Sequence, residues 1–177
     1  IDALRDGKPK EDVLAILIND TEYKDEHFTR SLIEREFEPQ IARYILFNID
    51  LKEQGSVRGA RFDEVHVEHI YPQNPSTDWN DFDCRGMPED HWKYNLGNQT
   101  LLDKQLNQNA SNKSFPDKII YYKKKDGACG AGESEEGTVF NMTFDLHDAY
   151  QSGETEWTNQ RILERAQSLA QQATQIW

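Results

Sequence analysis

Several features that would assign a chain to a class of protein are scarce in this sequence of 177 residues. Its two cysteines, Cys84 and Cys129, have no CxxC spacing, so neither a disulfide framework nor a cysteine-rich zinc cluster is expected. No stretch approaches the roughly 20 apolar residues of a membrane span, and the charged start lacks the apolar segment of a secretory signal. We therefore expect a soluble protein of a reducing cytoplasm, with no membrane partner.

Basic charge is also in short supply. The 20 lysines and arginines are outnumbered by 32 aspartates and glutamates, which gives a formal charge of −12. A protein that binds nucleic acid by its net charge needs clustered lysine and arginine, so the overall balance argues against that mode of binding. Lysines are nevertheless frequent between Lys104 and Lys125. This stretch is interpreted either as a local basic face or as an ordinary solvated helix face.

The length suits one compact unit with a real core, and the start at Ile1 suggests part of a longer protein. Helical periodicity predicts one helix over 10–19 and a second from Phe28 to Phe37. A third is expected to begin at Pro39, with its helical period traced by Ile41, Tyr44, Ile45, Asn48 and Leu51 or Lys52. Thr158 is the predicted N-cap of a last helix that runs to the end of the chain.

The middle of the chain has a different pattern. Residues 62–70 and 96–102 alternate in the manner of strands, and the long loop between them carries Trp79, Phe82 and Trp92, which are expected to anchor it to the core. A short helix is predicted over 103–109. Ser111 is the expected N-cap of a further helix over 115–125, whose inward residues would be Ile119, Ile120, Tyr121 and Tyr122. The glycine- and glutamate-rich stretch 127–137 is assigned no function.

Residue types that bind a metal and move a proton are concentrated between His66 and Phe115. Glu68 and His69 end the first predicted strand, shortly before Pro72. A carboxylate is a hard ligand for magnesium or manganese, and a neutral imidazole can accept a proton from water. Adjacent strand residues point to opposite faces, but a strand end that twists into a loop can present both to one cavity. Alone, such a pair is more often a surface hydrogen bond.

Two asparagines extend this constellation. Asn107 lies on the predicted helix after the second strand, from which its amide oxygen could complete the coordination of a hard divalent ion. Asn98 follows Gly97, where its side chain could tie the loop backbone and hold His69 in orientation. Ordinary turn chemistry is the other interpretation of both asparagines. Strand, loop, strand and helix with one central ion would form a ββα-metal unit.

Four short runs together resemble a known family. They are Glu-His-Ile-Tyr-Pro-Gln at 68–73, Leu-Gly-Asn-Gln-Thr-Leu-Leu at 96–102, Leu-Asn at 106–107 and Ser-Asn-Lys-Ser-Phe at 111–115. Their order resembles the HNH nuclease domain at the C-terminus of GmrSD-type modification-dependent restriction enzymes and related phage-defence nucleases. The flanking helices resemble that family too, which leaves only 127–137 uncovered. The core is also similar to the HNH domain of RNA-guided CRISPR nucleases.

The resemblance implies a role for each matching residue. Glu68 and Asn107 would bind one divalent metal ion, His69 would be the general base, and Asn98 would be the middle residue of the motif. Asn107 stands where the family's usual third histidine would be, which favours magnesium or manganese over tightly held zinc. Three further candidates are less specific: His66 for metal or phosphate against a structural hydrogen bond, and Asn112 with Lys113 for phosphate against capping and solvated surface.

The expected fold is therefore α+β and mainly helical, with a ββα-metal (HNH) core over 61–126. An N-terminal helical part would cover 1–60, an acidic glycine-rich excursion 127–140, and a C-terminal helical part 141–177. The expected function is a metal-dependent DNA endonuclease of a restriction or phage-defence system, whose partners are DNA and an N-terminal NTPase or DNA-sensing domain of the same protein. The alternatives are a catalytically silent interaction domain and a toxin-like nuclease acting on RNA or nonspecifically.

Overall fold

A computed structural model describes residues 25–54, 62–124 and 137–177. Within these ranges seven helices and one two-stranded antiparallel sheet form an α+β fold that is mainly helical, which is the predicted class. The helix predicted over 10–19 lies outside the described residues, as does most of the 127–140 excursion. None of the described helices is long and apolar enough to cross a membrane.

Two helices precede the sheet. Helix α1 covers Asp25–Glu34, and α2 covers Pro39–Gln54, so Pro39 does occupy the first helical position. The residues predicted to trace the period of α2 are not all buried, because Ile41 and Tyr44 are exposed. The face that packs on the core is instead formed by Ala42, Ile45, Leu46 and Ile49. Both stripes have helical spacing, so periodicity alone could not choose between them.

The sheet is a pair of short strands, β1 (Val65–His69) and β2 (Gln99–Asp103), with Glu68 opposite Thr100. Both strands are shorter than predicted because a 3₁₀ turn precedes each one, at Phe62–Glu64 and at Leu96–Asn98. The second turn is capped by Asn95, whose side-chain oxygen accepts a hydrogen bond from the Gly97 amide at 2.9 Å. Because residues 96–98 form this turn, β2 begins only at Gln99.

The connection between the strands is partly regular, with a 3₁₀ turn at Thr77–Trp79 and helix α3 at Glu89–Lys93. Its aromatic residues anchor it to the core as predicted. Trp79 and Trp92 are buried, and their indole nitrogens donate to the carbonyls of Lys113 and Cys84. The connection is therefore a fixed part of the fold.

Helix α4 (Lys104–Ala110) follows β2 directly and is capped by Asp103. Ser111 is not the N-cap of the next helix: it ends α4 with φ of +49°, and Ser114 caps the short helix α5 (Phe115–Lys118). A 3₁₀ turn, Ile119–Tyr121, continues α5 in place of the predicted long helix. Ile120 is exposed, which corrects its predicted inward position, whereas Ile119 and Tyr122 are buried.

Helices α6 (Asn141–Gln151) and α7 (Asn159–Ala173) complete the fold, and Thr158 caps α7 as predicted. The core has two clusters, one on each side of the two-stranded sheet. Leu101 belongs to the first cluster and Leu102 to the second, because successive strand residues point to opposite faces. Helix α7 joins both clusters, since its Ile162 packs in one and its Leu169 in the other. The helix was predicted to run to the end of the chain but ends at Ala173, and Trp177 is 52% exposed.

Candidate active site

A cavity of about 450 Å³ lies where the end of β1 meets α4. Four of the residues singled out in the sequence line it: Glu68, His69, Asn107 and Asn112. The remaining lining residues are Val67, Pro72, Gln73, Asn74, Gln108 and Ser111. The fold thus brings the end of β1 and residues of α4 to one concave surface.

His69 is the most unusual polar group of the cavity. The residue is 8% exposed, and its Nε2 is buried without a hydrogen-bond partner in the described part of the chain. The ring of Tyr94 meets the imidazole edge-on, with 5.6 Å between ring centroids. Burial, aided by the charge of Lys118, lowers the pKa of His69 from 6.5 to about 4. The imidazole is therefore neutral at pH 7, in the form that can accept a proton.

The Glu68 carboxylate is held by two side chains from later in the chain. Its Oε1 accepts hydrogen bonds from Lys118 Nζ at 2.7 Å and from Tyr122 OH at 2.9 Å, and all three side chains are buried. Burial raises the pKa of Glu68, although the charge of Lys118 acts in the opposite direction. Burial likewise lowers the pKa of Lys118. A buried carboxylate needs such partners, because an unpaired charge in the interior is strongly unfavourable.

Asn107 extends from α4 to β1. Its Nδ2 donates to the carbonyl oxygen of Val67 at 3.4 Å, so the amide oxygen is the atom that remains to serve a ligand. Among the described residues, no group of three or more histidine, cysteine, aspartate or glutamate side chains could hold a metal ion. The donors at the cavity are one carboxylate, one imidazole, and amide and hydroxyl oxygens. This set fits an oxygen-preferring ion that keeps several waters, rather than a closed zinc site.

Asn98 lies beside the cavity rather than in its wall. Its Oδ1 accepts from the Tyr71 amide at 2.7 Å and from Trp157 Nε1 at 2.9 Å. Its Nδ2 donates to the carbonyls of Tyr71 at 2.8 Å and Lys93 at 3.1 Å. All the hydrogen-bonding capacity of the amide is used to fix the chain that leaves β1. The loop-tying hydrogen bonds expected for Asn98 are therefore present.

The comparison with protein families agrees with the resemblance seen in the sequence. A family model described as the C-terminal domain of GmrSD restriction endonucleases matches residues 19–172. The chain belongs to this family. No curated protein shows significant similarity to it. Membership in the GmrSD C-terminal domain family indicates a nuclease domain of a restriction system.

Two sequence candidates lie away from the cavity wall in this GmrSD C-terminal domain. His66 pairs with Leu102 in the sheet and is not among the lining residues. The Lys113 ammonium donates to the Asn109 carbonyl and to Tyr121 OH, and it lies 4.7 Å from the centre of the Tyr121 ring. These contacts occupy the lysine, so of the pair at 112–113 only Asn112 reaches the cavity.

The sequence interpretation missed Lys118 and Tyr122, which hold Glu68, and Tyr94, which meets His69. Lys118 was grouped with the basic stretch. A usable signal existed, because Phe115, Lys118, Ile119 and Tyr122 have the i, i+3, i+4, i+7 spacing of a buried helical stripe. A lysine on such a stripe indicates a buried ammonium, and a buried ammonium requires an acidic partner.

Proposed function

We propose that this GmrSD C-terminal domain is a metal-dependent DNA endonuclease of the HNH type, which nicks or cuts the phosphodiester backbone. The observation that carries the proposal is the convergence of Glu68, His69 and Asn107 on one cavity. Family membership supports the same assignment, since a restriction endonuclease acts on DNA. A restriction function would operate in the cytoplasm, where incoming DNA is met.

In this proposal His69 is the general base. Its neutral ring accepts the proton of the attacking water. The low pKa of about 4 makes the free imidazole a weak base. A phosphodiester anion in the cavity would raise that pKa, because a nearby negative charge favours the imidazolium. Substrate binding and proton transfer would therefore support each other.

Glu68 and Asn107 are the proposed holders of one divalent ion, magnesium or manganese, which when bound supplies Lewis-acid stabilisation of the charge developing on the phosphate and leaving oxygen. Asn98 is a positioning residue, which acts by fixing the backbone of Tyr71 just after the motif histidine. Asn112, rather than Lys113, contacts the phosphate, because Asn112 lines the cavity.

The charge of the chain limits how the domain finds its substrate. A formal charge of −12 provides no long-range attraction for DNA. Among the residues that the structure describes, none that lines the cavity is a lysine or arginine. We therefore assign target recognition and most DNA affinity to another part of the same protein, an N-terminal NTPase or DNA-sensing domain.

A plasmid assay tests the proposal directly. Supercoiled DNA is incubated with the protein in magnesium or manganese, with EDTA as the metal-free control. Wild-type protein should convert the plasmid to open-circular or linear DNA, and EDTA or His69→Ala should reduce the rate by at least about 100-fold. His147→Ala is the matched control, since His147 lies on α6 outside the cavity wall. Equal rates for wild type and His69→Ala would refute the assignment.

Two further measurements distinguish the other functions. Calorimetry with manganese should give one binding site that Glu68→Gln weakens, whereas a catalytically silent scaffold would bind no ion and cut nothing. Single-stranded RNA is tested beside duplex DNA under the same conditions. Preferential cleavage of RNA would replace the DNA assignment with the toxin-like one.

A further inference from the structure

One buried ammonium contacts both members of the Glu68–His69 pair. Lys118 Nζ donates to Glu68 Oε1 at 2.7 Å and to the backbone carbonyl of His69 at 2.6 Å. Lys118 is 0% exposed, so these protein oxygens replace the water that an ammonium normally holds. Lys118 reaches this position from α5, about 50 residues after the strand.

The position of this contact matters because β1 ends there. Along a regular strand, the side chains of Glu68 and His69 would point to opposite faces. Here both residues line one cavity, and they occupy the last two paired positions of β1, where the strand passes into the following loop. Two groups hold the chain at that point. The Ile70 amide donates to the Asn98 carbonyl at 3.0 Å, and the preceding carbonyl, that of His69, accepts from Lys118.

The peptide that joins His69 to Ile70 is therefore fixed on both of its polar atoms. Asn98 controls one side through its own backbone, and Lys118 controls the other. The direction of the His69 side chain depends on this peptide, because rotation of the backbone at a residue moves its Cβ. The same ammonium selects the orientation of the Glu68 carboxylate.

We propose that Lys118 is a positioning residue of the active site, which sets the Glu68 carboxylate and the His69 backbone in one mutual arrangement. This inference rests on the nuclease function proposed above. Lys118 touches no substrate in this role and transfers no proton. Its contribution is geometric, since both groups must keep their places when a ligand enters the cavity.

A simpler explanation is that Lys118 only balances the buried charge of Glu68. Tyr122 helps to separate the two explanations, because it contacts Glu68 Oε1 but makes no contact with the His69 carbonyl among the described hydrogen bonds. If only the carboxylate matters, loss of the tyrosine hydroxyl should affect the site in the same way as loss of the ammonium, to a smaller degree. If the peptide matters, only the lysine variant should move His69.

The experiment compares Lys118→Met, Tyr122→Phe and wild type. Methionine keeps the length of the side chain but cannot donate. Lys104→Met is the matched control, because the same change is made at an exposed lysine of α4. The first readout is the ring resonances of His69 in histidine-labelled, metal-free protein, with the other four histidines as internal references. The second is manganese affinity by calorimetry, and the third is kcat and KM on plasmid DNA.

The proposal predicts that Lys118→Met shifts the His69 resonances and leaves those of the other histidines in place. Manganese affinity should fall about 10- to 100-fold, and kcat should fall by a similar factor with KM nearly unchanged. Tyr122→Phe should leave the His69 resonances close to wild type, and Lys104→Met should match wild type in all three measurements. A folded Lys118→Met protein with wild-type resonances, manganese affinity and kcat would overturn the inference.

Two provisions keep the test decisive. If Lys118→Met does not fold because Glu68 is left as a lone buried charge, the comparison is made between Glu68→Gln and Glu68→Gln/Lys118→Met. The second substitution should then still move the His69 resonances, and unchanged resonances would refute the role. If wild-type protein neither binds manganese nor cuts DNA, the proposed function fails, while the metal-free resonances still report whether Lys118 positions His69.

Discussion

The indole nitrogen of Trp157 donates a hydrogen bond of 2.9 Å to the side-chain oxygen of Asn98, which lies 59 residues earlier in the chain. The same oxygen accepts from the backbone amide of Tyr71. The segment before α7 is therefore connected through one asparagine to the chain that leaves β1. This contact explains how the C-terminal part of the fold stabilises a motif that lies entirely before it.

Loss of this hydrogen bond should be measurable as reduced stability. Trp157 is buried against Phe115, so Trp157→Phe removes the indole donor and also leaves unfilled space. We expect the free energy of unfolding to fall by about 2 kcal/mol, measured by urea denaturation. Trp177→Phe is the control, because Trp177 is half exposed, and it should change stability by less than about 0.5 kcal/mol. Equal effects of the two substitutions would contradict the role of Trp157.

A second prediction concerns the close approach of α7 to the turn before β2. A Cβ atom at Gly97 would lie 1.9 Å from the Ile162 carbonyl oxygen and 2.8 Å from the Ala166 amide nitrogen. Gly97→Ala should therefore cost more than about 3 kcal/mol or prevent folding. Gly86→Ala is the comparison, since Gly86 has φ of +72° but open space around it, and strain alone should cost about 1 kcal/mol. Thermal unfolding of both variants should show the larger loss of stability for Gly97→Ala. Similar losses of stability in the two variants would contradict the close approach at Gly97.

The buried imidazole of His69 should make stability depend on pH. Its pKa is about 4 in the folded protein against 6.5 as the unperturbed value, so the unfolded chain takes up the proton first as the pH falls. This contribution is complete above pH 6.5 and is lost as the pH falls toward 4. The free energy of unfolding should fall by up to about 3 kcal/mol through this protonation.

Asp50 acts in the opposite direction in the same range. Burial raises its pKa from 3.8 to about 6, so its contribution is present below pH 3.8 and is lost as the pH rises through 6. The effect of His69 is therefore measured as the difference in unfolding free energy between wild type and His69→Gln, by urea denaturation from pH 7.5 to 4.5. The advantage of wild type should shrink as the pH falls. A difference that does not vary with pH would show that His69 titrates normally.

The Glu68–Lys118 pair should show strong energetic coupling in a double-mutant cycle. Removal of one partner leaves the other buried without its charge partner, so Glu68→Gln and Lys118→Met are each expected to destabilise the protein. The double variant should lose much less than the sum, with a coupling energy on the order of 2–3 kcal/mol. Unfolding is measured in EDTA, so that no metal contributes.

The pair Glu89–Lys93 provides a matched control for this cycle. It has the same nitrogen–oxygen distance of 2.7 Å, but the glutamate side chain is 55% exposed. Solvent screening should limit its coupling to about 0.5 kcal/mol or less. Equal coupling in the two pairs would mean that burial does not strengthen the Glu68–Lys118 interaction.

Local sequence patterns predicted a large part of the fold and of the cavity. The cap at Thr158 and the helix after β2 were confirmed because each depends on short-range rules. The anchoring tryptophans were confirmed because large aromatic side chains are usually buried. The errors at Ser111 and Ile120 share one cause. In each case a nearby residue of the same type was an equally good candidate, Ser114 for the cap and Ile119 for the buried position, and the tertiary structure selected that residue.

The sequence by itself determined which residues could carry chemistry, their order, and the family to which the chain belongs. Residue type and spacing are local properties, so they can be read without a structure. Only the tertiary structure decided that Asn107 and His69 share a cavity, that burial lowers the pKa of the imidazole, and that Lys118 is a buried partner rather than part of a solvated face. These outcomes depend on removal of water by segments distant in the chain, and desolvation is a property of the packed molecule.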